Sequence, residues 1–242
     1  RAMTEADFHK KIERSYLASP IICEVGLYVV AGKPKGGKSR ILKDLAYKVQ
    51  NKGLGTWIGH TVVNGDVLLL ALEDNEDSMN LDIKEMGYQN KLKPTTFVDD
   101  SPSLDRGLEE SLKLWTEEVS NPKLVIIDTF QKIKPLGEQK TRNANAYEVD
   151  YHYLSKLHSI AKELSICIIY VHHLSQADKA HSWDKIMGST GHQGVTDAMY
   201  MLERDEGTNQ ATFKGIGRNI AEFKLDILWN NDTFKFDYVG DS

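Results

Sequence analysis

The stretch AGKPKGGKS, residues 31–39, decides how the rest of the chain is read. It follows an apolar run, GLYVVA at 26–31, and precedes Ile41, Leu42, Leu45, Ala46 and Val49, which fall on one face of a helix. Gly32, Gly36, Gly37, Lys38 and Ser39 match the spacing G-x-x-x-x-G-K-[ST]. A loop that wraps a phosphate needs glycines at unusual backbone angles, so that successive N–H groups point inward at the head of a helix. Residues Gly32, Lys33, Pro34, Lys35, Gly36, Gly37, Lys38, Ser39 and Arg40 are therefore expected to bind a nucleotide. Lys38 is expected to pair with the β- and γ-phosphates and the Ser39 hydroxyl to ligate Mg2+. A coincidental turn before a helix is the plainer alternative, and the flanking strand and helix argue against it.

Working outward, apolar runs with strand character alternate with helical periodicity through the first two-thirds of the chain. DVLLLAL (66–72), KLVIID (123–128) and ICIIYV (166–171) read as buried strands, with a short strand near TTFV. A weak helix is expected over about 77–87, a clear one carries Leu104, Leu108, Leu112, Trp115 and Val119, and another carries Leu154, Leu157, Ala161 and Leu164. Strands that are apolar throughout imply a mainly parallel sheet covered by helices on both faces, an α/β class. In the last third, DAMYMLER, QATFKGIG, EFKLDILWN and TFKFDYVG follow one another too closely for crossover helices, and are expected to extend the sheet as antiparallel hairpins. The expected organisation is an N-terminal segment, 1–20, and a single domain, 21–242; Arg1 and Ala2 read as a cloning remnant ahead of Met3.

A phosphate loop needs an acid for its metal, and LVIIDT offers Asp128 at the end of a buried strand, where a plain turn former is the alternative. Glu73 ends the strand after the phosphate-loop helix and is placed to orient and deprotonate an attacking water. Asp74, Glu76 and Asp77 read instead as an acidic helix N-terminus. IIYVHHLSQ ends another strand with His172 and His173; neighbours on a strand point to opposite faces, so only one of them can face a nucleotide. A pair of structural histidines is the alternative, and zinc suits neither them nor the cysteine spacing.

With these residues assembled, the sequence resembles the RecA-like P-loop ATPases, and more closely the branch of plasmid RepA-type hexameric helicases and related AAA-type ATPases of phages and mobile elements. The resemblance rests on AGKPKGGKS, DVLLLALEDN, LVIIDTF, AYEVDY, IIYVHHLSQ, WDKIMGSTGHQGVTDAMYMLER and GIGRN, and covers residues 26–239. It implies ATP and Mg2+ as cofactors, Glu73 as catalytic glutamate, Asp128 in the metal shell, and His172 or His173 sensing the γ-phosphate. It implies a ring, commonly a hexamer, in which Arg218 of GIGRN reaches a neighbour's site, with Lys214 as a helper. The irregular segment 131–145 would line a channel for single-stranded DNA through Lys132, Lys134, Lys140 and Arg142; a solvated loop is the plainer reading. The segment 174–194 offers His192 and Gln193 as weaker candidates. A replication initiator, primase or loader protein is the implied partner.

Composition narrows the rest. The 242 residues are 40% hydrophobic and 27% charged, which suits a folded domain and excludes disordered or collagen-like chains. A net charge of −5 is unlike a DNA binder with a broad basic surface. Both cysteines, Cys23 and Cys167, lie in apolar runs and read as buried reduced thiols, which points to the cytoplasm. The longest apolar run is about half the ~20 residues a bilayer requires, so no membrane association is expected. The main reading is a Mg-dependent ATPase and DNA helicase; a regulatory or assembly ATPase acting without direct DNA unwinding is the alternative. A small-molecule kinase would want an arginine-rich lid that the sequence lacks.

Overall fold

A computed structural model describes residues 14–89, 96–135, 146–174, 192–205 and 207–242. The strands, in chain order, are β1 (Tyr16–Ser19), β2 (Ile22–Cys23), β3 (Gly26–Gly32), β4 (Thr61–Val62), β5 (Asp66–Ala71), β6 (Thr96–Val98), β7 (Pro122–Asp128), β8 (Cys167–His173), β9 (Ala198–Arg204), β10 (Gln210–Gly217), β11 (Phe223–Asn230) and β12 (Lys235–Asp241). The helices are α1 (Lys38–Gln50), α2 (Glu76–Glu85), α3 (Leu108–Glu118), α4 (Phe130–Ile133), α5 (Ala146–Glu163) and α6 (His192–Val195). Nine strands form one sheet in the order β12-β11-β10-β9-β3-β8-β7-β5-β6, and β2-β1-β4 form a small antiparallel one.

From β6 to β9 every pairing is parallel, and from β9 to β12 every pairing is antiparallel. The mainly parallel α/β sheet with C-terminal antiparallel hairpins is thus the architecture expected of a P-loop nucleotide-hydrolase fold. One strand departs from the expectation: DAMYMLER, β9, runs parallel to β3, with Tyr28 opposite Ala198 and Ala31 opposite Met201. β9 begins beside Tyr28 near the start of β3 and runs in the same direction as β3, and only β10 reverses it.

The parallel part of the sheet, β3, β5, β7, β8 and β9, is buried on both faces, and alternation along each strand sorts side chains into two layers. Tyr28 and Val30 of β3 pack with Leu69, Ile126 and Ile169 and with Ile41, Leu42, Leu45 and Val49 of α1. Leu27, Val29 and Ala31 face the other way, onto Leu108, Leu112 and Trp115 of α3 and Leu154, Leu157 and Ala161 of α5. Leu17 and Ala18 of β1 join the α1 layer. The Trp57 indole, fully buried there, donates to the Ile41 carbonyl at 2.9 Å and meets Phe213 edge-on. Parallel strands that all end on one side place the tips of β3, β5, β7 and β8 side by side, which is where such sheets hold ligands.

Candidate active site

The loop between β3 and α1 is shaped by two close approaches. A Cβ on Gly32 would lie 2.5 Å from the Leu202 carbonyl oxygen of β9, and one on Gly37 would lie 2.8 Å from the Phe236 ring of β12. Gly37 also sits at φ 96°, where a side chain is strained. Helix α1 begins at Lys38 with no acidic residue in its first turn, so its free amides and positive dipole end face the loop without a competing anion. The Lys38 ammonium is buried and donates to the carbonyls of Gly32 at 2.9 Å and Lys33 at 2.7 Å. Burial pulls its pKa down to about 8, against the opposing pull of Asp128 and Glu73.

Lys38 is thus poised to lose its proton in mildly alkaline solution, and a phosphate favours the charged form. ATP affinity is accordingly expected to fall about tenfold between pH 7 and pH 9 as the free protein's ammonium deprotonates. Calorimetric titration across that range measures it, and a flat profile would mean that Lys38 carries none of the phosphate binding.

Strand register assembles the acids. Ala71 of β5 stands opposite Asp128 of β7, and the Leu72 amide donates to the Asp128 carbonyl at 2.8 Å, so Glu73 emerges beside the strand end that carries Asp128. Asp128 is buried and hydrogen-bonded to Ser39; burial raises its pKa, Glu73 and Asp74 push the same way, and Ser39 and Lys43 oppose them. Glu73 is open to solvent, its Oε1 accepting from the Thr129 hydroxyl at 3.3 Å and its Oε2 lying 3.5 Å from His173 Nε2. The two histidines separate as strand alternation requires. His173 lies against Glu73, whereas the His172 ring packs 4.4 Å from His192, and burial lowers the His172 pKa to about 4. His192 in turn shares a hydrogen bond of 2.6 Å between its Nδ1 and the Tyr170 hydroxyl and is fully buried, whereas Gln193 is exposed.

Other residues singled out in the sequence lie elsewhere or are already engaged. Arg218 follows β10 at the opposite end of the sheet: its amide donates to Asp197, whose own amide donates to Leu27, five residues before Gly32. That puts it about 17 Å down the strands from its own phosphate loop at ~3.3 Å per residue. Its guanidinium donates to the Gly194 carbonyl at 2.7 Å. Lys214 pairs with Glu203 at 2.6 Å. Lys132 is exposed, Lys134 is paired with Asp150 beside the Phe130 ring, and Lys140 and Arg142 lie outside the described residues. Lys33, Pro34 and Lys35 line the open rim, and Arg40 pairs with Asp82 at 2.5 Å and Glu85 at 2.8 Å.

Some site residues escaped the sequence reading. Asp74 does not serve the α2 N-terminus, which Asn75 caps; it pairs at 2.8 Å with Lys43, which also holds Asp82. Lys43 follows Ser39 by four residues, on the same helix face, and that spacing was the available signal. Thr129, next to Asp128, was equally in view. Arg204 and Trp229 close the cavity over the loop, and only hairpin register brings them there.

A family model described as an AAA domain matches residues 3–179, well over half of the chain. The chain belongs to the AAA domain family. The membership supports a nucleotide-hydrolysing P-loop ATPase, and the AAA match spans the phosphate loop, Glu73, Asp128 and both histidines, while Arg204, Arg218 and Trp229 lie beyond it. No curated protein matches the chain. AAA domains bind nucleotide, typically with Mg2+, and the donors here suit that ion: a hydroxyl and a carboxylate, both hard oxygens. Among the described residues no group of three His, Cys, Asp or Glu lies close enough together to hold a metal ion. Among the described residues no helix is long and apolar enough to cross a membrane.

Proposed function

We propose that this AAA protein hydrolyses ATP in a ring of identical subunits, of the RepA-type helicase branch, and couples turnover to movement on single-stranded DNA. The observation that carries the hydrolytic half is Glu73, open to solvent and held between Thr129 and His173 beside the loop that presents Lys38 and Ser39. Lys38 and the loop amides bind the phosphates, and Ser39 with Asp128 would hold Mg2+, which would supply charge to neutralise the phosphate oxygens. Glu73 takes the proton of a water whose oxygen bonds to the γ-phosphorus, while the bond from that phosphorus to the bridging oxygen breaks and ADP leaves. His173 and Thr129 keep the carboxylate aimed.

The distance of Arg218 from its own phosphate loop supports a role in a neighbour's site and not its own. Arg218→Ala is expected to lower hydrolysis at least about a hundredfold, as loss of an arginine finger does. Subunits of Lys38→Ala, which keep Arg218, should restore activity when mixed with it. Unchanged activity of Arg218→Ala, or failure of that mixture, would rule out the shared site. DNA coupling is measured as phosphate release at low salt with and without single-stranded DNA. Stimulation that fades as salt rises supports the motor. DNA-indifferent hydrolysis supports the second reading, a regulatory or assembly ATPase, which the pairing of Lys134 with Asp150 favours because it takes one basic side chain out of the proposed DNA track.

A further inference from the structure

The cavity over the phosphate loop has a wall that the loop does not build. Residues Lys35 to Arg40 face His173, Arg204 and Trp229 across a space of about 280 Å3. A larger one, about 760 Å3, runs from Gly32 to the β9–β10 hairpin, and Lys35, Gly36 and Arg204 border both. The Trp229 ring is half-buried and held from the side by Phe236 at 5.1 Å and Phe234 at 6.2 Å, both edge-on, so its free face keeps one orientation. Phe236 in turn abuts Gly37, which fixes that face relative to the phosphate loop.

On the face lies the Arg204 guanidinium, 4.9 Å from the ring centroid. Unlike Arg40, Lys43 and Lys214, Arg204 has no carboxylate partner among the described residues; its one hydrogen bond is to the Asn209 side chain at 3.5 Å. A cation with no carboxylate partner among the described residues therefore rests on an aromatic plane at the edge of a phosphate site. A nucleobase is also a flat π-system that stacks on tryptophan, and a separation of 4.9 Å leaves no room for a base between ring and guanidinium.

We propose that the nucleobase of the bound nucleoside triphosphate stacks on Trp229 in place of Arg204, and that the displaced guanidinium turns to the phosphates. The exchange rests on the ATP-binding reading above and adds to it the residue that holds the base and a phosphate ligand supplied by the same subunit. Stacking senses ring area and not the pattern of donors on the base edge, so ATP and GTP bind alike and the smaller pyrimidines bind less tightly.

The experiment compares ATP with inorganic tripolyphosphate, which has no base, by calorimetry on the whole chain. Trp229→Leu weakens ATP about tenfold, within the range of loss of one base–aromatic stack, and leaves tripolyphosphate unchanged. Trp229→Phe, which keeps a ring, recovers most of the ATP affinity but abolishes the quenching of tryptophan fluorescence by ATP. Arg204→Leu weakens ATP about tenfold, as loss of a charged phosphate contact does, with that quenching intact at saturation. Equal losses for ATP and tripolyphosphate in Trp229→Leu, no loss in either, or an unchanged ATP affinity in Arg204→Leu would overturn the exchange. Wild-type protein that binds neither ligand, or binds both equally well as Lys38→Ala, would instead overturn the ATP-binding reading itself.

Discussion

Glu73→Gln is expected to lower ATP turnover by about a thousandfold, within the range for loss of a positioned general base, while ATP binding stays within about twofold of wild type. The amide keeps the size of the carboxylate and can still accept from the Thr129 hydroxyl, which lies 3.3 Å from Oε1. It cannot take a proton from water. Because Glu73 is half-exposed, the exchange creates no buried unsatisfied group and the fold is unaffected. Single-turnover phosphate release and calorimetric titration together measure the effect. Near-normal turnover would remove Glu73 from its role, and a parallel loss of binding would make it a nucleotide ligand instead of a base.

Lys43→Met is expected to lower stability by about 3 kcal/mol, because it removes one partner of a buried ionic cluster. The Lys43 side chain is 3% exposed and holds both Asp74 and Asp82, and Asp82 is itself shared with Arg40. Without the ammonium, Asp74 keeps no cation among the described residues, while Asp82 retains Arg40, which with Glu85 still ties α2 to α1. For a chain of this length the melting temperature should fall by roughly 6–12 °C. A second consequence follows at the metal site. Lys43 is one of the groups opposing the upward shift of the Asp128 pKa, so in Lys43→Met that carboxyl protonates at higher pH and Mg2+ binding weakens sooner on acidification. A melting temperature within about 2 °C of wild type would show the cluster to be no stronger than a surface ion pair.

Much of the sheet was legible because a strand buried on both faces must be apolar along its buried length, and VVA, LLLA, LVII and IIYV are. The phosphate loop was legible because its backbone admits little but glycine at Gly32 and Gly37, and the packing partners of both positions bear that out. The placement of Glu73 beside Asp128 followed from parallel strands ending on one side. What sequence could not decide was which histidine faces the cleft, since alternation fixes only that the two differ; the phase is set by how β8 registers with β3. The direction of β9 was missed for a related reason: the run itself looks the same in either direction, and only its pairing with β3 settles it. Arg204 and Trp229 were out of reach because they meet through the antiparallel register of β9, β10 and β11, a long-range property with no local mark.

The contact between Gly37 and Phe236 has a consequence for how the protein is made. The glycine-rich loop is synthesised early, but the ring that walls it arrives roughly two hundred residues later, in a strand that must first find its place at the sheet edge through three successive hairpins. A nascent chain therefore carries the whole signature of a nucleotide binder long before it can grip a nucleotide. Ligand capture then becomes a reporter of a docked β12: ATP is expected to stabilise only chains in which that strand has found its place, and a ribosome-bound fragment ending before β12 should pass ATP by.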